Sequence, residues 1–300
     1  MADPEDIDPD DIKTIPTFRA AYSDRTALLM ARLSRRAYEH FDKSDAEFAN
    51  FTKGFETLGL SPCVKLLDPE AGTAGYIVAS PELVAVVFRG TEDELDWRTN
   101  FRLEFVTLQG GARVHAGFFL AYMGIRKDLF REVKELIKAK SRPVYVAGHS
   151  LGGAIAMMAT AEMSNDEDRD LRDSIAAVYT FGAPKAGDRS FDQYVKVPLY
   201  RVTNGIDIVP AVPPWFGYRQ VGDTRYYGKL GVAPLRRAPR LYRQILRSFR
   251  SLLNLIWTGQ IANITDHEMR VYIQKLHEWT KANLEETQKR RAATADPEIK

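Results

Sequence analysis

Residues 144–154 read Val-Tyr-Val-Ala-Gly-His-Ser-Leu-Gly-Gly-Ala. Val144 to Ala147 have the β-branched and aromatic character of a buried strand, and small helix-compatible residues follow from Gly153. Between them Gly148-His149-Ser150-Leu151-Gly152 is a Gly-x-Ser-x-Gly turn with no length to spare for a loop. A chain that passes from strand to helix so abruptly holds its central residue in a sparsely populated backbone region, and the flanking residues must lack side chains that would clash. A strand that feeds directly into a helix is also the building unit of a parallel sheet. The spacing therefore predicts a nucleophile elbow. Ser150 stands at its tip, and the N–H groups and positive dipole end of the helix lie beside Oγ.

The rest of the chain repeats that alternation. Apolar residues at helical spacing predict a helix from Asp24 to Phe41, with Ser23 or Asp24 as N-cap, and a second over Asp45–Leu58. Val64–Leu67, Gly75–Val78 and Leu83–Phe88 read as strands separated by Pro/Gly turns, the last apolar throughout as a central strand is. A long helix is predicted over Ala116–Lys140. Further strands are predicted at Ser174–Phe181 and Leu199–Thr203. Strands alternating with helices imply an α/β fold, a mostly parallel central sheet with helices on both faces. Residues 1–16, acidic and broken by prolines, read as a disordered arm, 17–285 as a single domain, and 286–300 as a polar tail.

Bulk properties exclude several classes. A net charge of +2 gives no basic field for nucleic acid. Cys63 is the single cysteine, so no intramolecular disulfide can form. The acidic N-terminus lacks the pattern of a Sec signal peptide, and no apolar run reaches membrane-spanning length. These features favour a cytoplasmic or peripheral-membrane location. No cluster of histidines and carboxylates stands at ligand spacing, so neither metal nor cofactor is expected.

A serine hydroxyl needs a base to take its proton and a carboxylate to orient that base. His40 and His115 precede Ser150 and His149 is held in the turn, which leaves His267 and His277 if the order is Ser, acid, His. His277 lies in a helical stretch; His267 follows Thr265-Asp266 just before that helix, in a loop, and is preferred. Asp207, set among Ile206, Ile208 and Val209 just past a strand, is preferred as the acid over Asp188 and Asp192, although an Asx-turn is its bland alternative.

Taken together the motifs resemble the class 3 lipases, the fungal-lipase-like branch of the α/β hydrolases, from about Ala27 to Trp279. They are Val87-Phe-Arg-Gly-Thr91 followed by Trp97, Val114-His-Ala-Gly-Phe-Phe, the Gly148–Gly153 turn, Phe181-Gly-Ala-Pro, Asp207-Ile-Val-Pro, Tyr218-Arg-Gln-Val-Gly as the strand after the acid, and Asp266-His267. The resemblance implies an α/β-hydrolase fold, a Ser150–Asp207–His267 triad, and an oxyanion hole from Thr91 and the Leu151 backbone N–H. It implies His115 as a structural residue and an acylglycerol substrate. Fungal members are secreted and disulfide-linked, which this chain cannot be, so it is closer in kind to intracellular or bacterial members. The leading reading is a triacylglycerol lipase acting through an acyl-enzyme on Ser150; the alternative within the same chemistry is a phospholipase A1 or a short-chain or feruloyl-type esterase, which fits the same triad. The alternative from another class is a lipid-binding scaffold on a hydrolase fold.

Two segments depart from the pattern. Around Trp97 the chain is heavily charged, and Leu95 and Trp97 form the inner face of a lid or sit in an ordinary acidic loop. Residues 234–258 read as a helical insertion with one broad apolar face and an opposite face of Arg236, Arg240, Arg243, Arg247 and Arg250, with no acidic residue. Core packing, a cap over the site, or contact with an anionic lipid surface each suits it. The oligomeric state is not readable.

Overall fold

In β6 (Val144–His149), Val144 and Val146 enter one apolar cluster and Tyr145 and Ala147 the other. Neighbouring β3 (Val84–Phe88) splits in the same way. Side chains that alternate at period two, both sets apolar, mark a sheet covered on both faces. The computed structural model describes residues 3–15, 21–91, 104–205, 207–213, 217–237, 239 and 265–295. Besides β3 and β6 they supply β1 (Cys63–Asp68), β2 (Thr73–Ala79), β4 (Phe105–Thr107), β5 (Arg113–His115), β7 (Ile175–Phe181), β8 (Leu199–Asn204) and β9 (Asp223–Tyr227). Seven of these form a sheet in the order β1-β2-β3-β6-β7-β8-β9, antiparallel through β3 and parallel from β3 onward. β4 and β5 pair separately. In β7 one extra residue shifts register against β6, so that Ile175 and Ala177, two apart, fall in opposite clusters.

One face is covered by α4 (Ala116–Ala139) and α5 (Leu151–Met163). Phe118, Tyr122, Ile125, Leu129, Val133 and Ile137 of α4 recur every three or four residues and form its buried stripe. The other face takes α2 (Asp24–Arg36), α3 (Asp45–Glu56) and α8 (Met269–Ala295), the last through Met269, Tyr272, Ile273 and Leu276. Ser23 and Ser44 cap α2 and α3, accepting from Thr26 N and Glu47 N. Short helices α1 (Pro9–Lys13), α6 (Arg169–Ser174) and α7 (Arg189–Tyr194) complete the set. Among the described residues no helix is long and apolar enough to cross a membrane.

Four expectations are corrected. The arm is not disordered over residues 3–15: Ile7, Ile12 and Ile15 are buried in the α2/α8 layer, and Arg32 of α2 donates to the Pro4 carbonyl and pairs with Asp11. Three isoleucines among the acidic residues supply enough apolar surface to dock it. Residues 286–295 are not a tail but continue α8, with Glu286 and Arg290 paired one turn apart. Tyr218–Gly222 is not the strand after the acid; that strand is β9. Tyr218 instead stacks on Phe105 and Arg219 bridges to Gly187, which draws the segment toward the β4–β5 hairpin. Residues 234–237 are not helical, because Leu235 exchanges backbone hydrogen bonds with Tyr226. Most of the 234–258 segment, with Leu95 and Trp97, lies outside the described residues.

Candidate active site

Every sequence-predicted site residue that the structure describes lies at or beyond the carboxyl edge of the parallel strands. Ser150 ends β6 and opens α5 with φ 54 and ψ −126, the sole non-glycine with positive φ among the described residues. Such a conformation costs on the order of 1–3 kcal/mol and persists only where surroundings over-determine it. Here Ser150 N donates to the Phe181 carbonyl at 2.9 Å, and the helix packs so tightly that a Cβ on Gly152 would meet the Phe88 carbonyl oxygen at 2.2 Å. The second glycine of the turn is therefore fixed by close approach of β3, not by local turn geometry alone.

Three side chains distant in sequence converge. His267 Nε2 lies 2.9 Å from Ser150 Oγ, and His267 Nδ1 donates to Asp207 Oδ2 at 2.8 Å. A carboxylate accepts only, so Nδ1 carries the proton and Nε2 is the basic nitrogen facing Oγ. All three residues are at most 1% exposed. Asp207 also makes the Asx-type contact: its Oδ1 accepts from Val209 N at 2.9 Å. The cap leaves Oδ2 for His267, so the bland and the functional readings hold at once. Asp188 instead caps α7 and pairs with Arg113, Asp192 accepts from Gly222 N, and His277 sits on α8 beside Arg32.

Two further groups hold the acid and the base, and sequence reasoning passed over both. Tyr272, on the first turns of α8, donates to Asp207 Oδ2 at 2.5 Å. Asn204, buried at the end of β8, donates from Nδ2 to the Asp266 carbonyl at 2.8 Å while its own carbonyl accepts from Asp207 N. Tyr272 stands five residues past His267, a spacing visible in the sequence once the base is assigned. Asn204 carries no comparable signal. Gly182, after β7, has φ +58, and a Cβ there would stand 2.8 Å from both Asp207 Oδ2 and His267 Nδ1.

Thr91 follows β3 by three residues, and its strand end is pinned by a two-pronged Arg89–Asp42 ion pair at 3.0 and 2.6 Å. A Cβ on adjacent Gly90 would lie 3.2 Å from Ser150 Cβ, so this strand end lies against the elbow. Leu151 is the first residue of α5, where the amide has no carbonyl partner within the helix. His115 accepts from Gly117 N and Phe118 N as the cap of α4, and burial lowers its pKa to about 4. Among the described residues no group of three or more histidines, cysteines or carboxylates is arranged to hold a metal.

A family model described as "Lipase (class 3)" matches residues 85–217. A lipase of Rhizopus niveus is 36% identical over 159 residues, 50% of this chain and 40% of the relative. The secreted mono- and diacylglycerol lipase 1 of Fusarium solani is 35% identical over 165 residues, 50% of this chain and 46% of the relative. The chain thus spans less than half the length of these curated relatives. Among solved structures, the Rhizomucor miehei lipase–propeptide complex superposes with a TM-score of 0.60 at 26% identity, covering 70% of this chain and 71% of that one.

Proposed function

We propose that this chain, whose residues 85–217 belong to the class 3 lipase family, is a serine carboxylic ester hydrolase acting on acylglycerols. The observation that carries the reading is the unbroken Ser150–His267–Asp207 hydrogen-bond chain, buried and anchored on a strained elbow. Ser150 Oγ attacks the ester carbonyl carbon while its proton passes to His267 Nε2. Asp207 holds the resulting imidazolium through Nδ1–H. The tetrahedral oxyanion forms against the N–H groups of Thr91 and Leu151, each donor lowering the barrier by about 3 kcal/mol in a water-excluded site. Collapse expels the alcohol, which takes the proton from Nε2, and water repeats the sequence on the acyl-enzyme. The similarity to the mono- and diacylglycerol lipase 1 of Fusarium solani supports an acylglycerol as the ester.

The test is hydrolysis of p-nitrophenyl esters, triglyceride emulsions and phospholipids by wild type and Ser150→Ala. Triglyceride turnover that vanishes in the variant supports the reading. Preference for phospholipid or soluble short-chain ester moves the substrate to those classes, and turnover surviving in Ser150→Ala overturns the mechanism.

One observation favours peripheral contact with an anionic lipid surface. Leu230, Val232 and Leu235 are each about half exposed in the loop after β9, beside exposed Lys229, Arg236 and Arg237. The chain from 228 to 265 contains no acidic residue. Exposed apolar side chains flanked in sequence by cations suit an anionic interface, each cation contributing about 1 kcal/mol. Co-sedimentation with anionic vesicles, reduced by high salt and by changing Arg236 and Arg237 to Gln, is the expected result. No binding at low salt overturns it.

A further inference from the structure

We propose that Tyr38 and His149 are positioning residues that fasten the main chain of the base His267 to the nucleophile elbow. The inference rests on the ester-hydrolase reading above, in which His267 is the base. His149 immediately precedes Ser150, and its ring is 3% exposed. Its Nε2 lies 2.7 Å from the His267 carbonyl oxygen, and its Nδ1 lies 2.6 Å from the Tyr38 hydroxyl. A carbonyl only accepts, so Nε2 bears the hydrogen, Nδ1 is a bare acceptor, and the Tyr38 hydroxyl donates. One tautomer satisfies every atom.

That chain joins the parts that must stay in register. His267 sits in a short 3-10 turn outside the sheet, where nothing in the strand ladder fixes its distance from Ser150. The grip on its carbonyl comes from the residue adjacent to Ser150, so base and nucleophile share one anchor. Tyr38 also reaches the oxyanion side: a Cβ on Gly90 would lie 2.2 Å from its hydroxyl.

Electrostatics require the same tautomer. The His149 and His267 rings lie 4.6 Å apart at 33°. A second imidazolium there would oppose the charge His267 acquires when it takes the serine proton. Burial and the neighbouring His267 hold the His149 pKa well below its ordinary value, and donation by Tyr38 occupies the nitrogen that would otherwise be protonated. His149 stays neutral while His267 cycles.

The experiment compares wild type, Tyr38→Phe, His149→Phe and His149→Gln by kcat, KM, thermal midpoint and imidazole 15N shifts. Glutamine places its amide N–H where Nε2–H stands; phenylalanine fills the space without a donor. Misplacing a reacting group by about 1 Å costs up to about 100-fold in rate. A fall of that size in kcat for both Phe variants, with KM within about twofold and recovery in His149→Gln, supports the proposal. Full kcat in Tyr38→Phe, or a His149→Gln as poor as His149→Phe at equal thermal midpoint, overturns it. The 15N shifts keep the inference separate from the assigned activity. A wild-type His149 locked as Nε2–H and indifferent to mild acid supports the proposal even if no ester is turned over, whereas a His149 that titrates or holds the other tautomer overturns it.

Discussion

Acidification should destabilise this protein through His115 by an amount that one substitution isolates. His115 is 1% exposed, stacks on Phe118 at a centroid distance of 4.3 Å, and accepts two backbone N–H groups on Nδ1 as the cap of the 24-residue helix α4. Protonating Nδ1 removes the cap and sets a cation at the positive end of the helix. Burial already brings the folded-state pKa from 6.5 to about 4. A group whose folded pKa is lowered in this way binds its proton preferentially in the unfolded state. Stability is therefore full above the unfolded value and falls as pH drops from 6.5 toward 4. That interval, at about 1.4 kcal/mol per pH unit, amounts to about 3 kcal/mol, of which about 2.5 kcal/mol is lost by about pH 4.5. His115→Asn keeps a capping oxygen but does not titrate. Urea unfolding of wild type and variant at neutral pH and at about pH 4.5 should show wild type losing about 2.5 kcal/mol more than the variant. His149, shifted in the same direction, contributes to both proteins and cancels. Parallel pH dependences would refute the reasoning.

Gly182→Ala should lose on the order of 1–3 kcal/mol from its positive φ and about 100-fold in ester turnover as the new Cβ displaces Asp207 and His267; a near-wild-type kcat contradicts the packing described. His267→Ala should be as inactive as Ser150→Ala, because residues acting as a unit lose activity together, while His277→Ala keeps turnover. Steady-state assays of the three variants check the ranking.

Six of the seven strands of the main sheet were legible, the central ones because they are apolar on both faces, whereas β9, which opens Asp-Thr-Arg, was not. The elbow was legible because Gly-x-Ser-x-Gly between a strand and a helix leaves little choice of geometry. His267 and Asp207 could be picked out because each sits in a loop beside an element end, where a helical histidine such as His277 does not. Tyr38 and Asn204 were not legible, and Tyr272 became so only once His267 was assigned as the base. Each reads as an ordinary residue of its own segment, and its contact with the site spans from tens to more than a hundred positions of chain. The docking of the N-terminal arm was hidden for a different reason: three isoleucines spaced through an acidic stretch show no periodicity, and only the apolar surface of α2 and α8 makes them a buried set. The placing of Tyr218–Gly222 as the strand after the acid rests on resemblance alone; its two polar residues, Arg219 and Gln220, are adjacent and give no strand alternation, and its partner is the hairpin side, not the sheet.

The central claim, that Ser150 is the nucleophile activated by His267, is tested most directly by reaction with a serine-directed alkyl phosphonate followed by peptide mass spectrometry. The expected result is a single adduct at Ser150, approaching one per molecule, formed rapidly by wild type and His277→Ala and hardly at all by His267→Ala. An adduct on another residue, or hydrolysis of an ester that continues after Ser150 is fully modified, would contradict it.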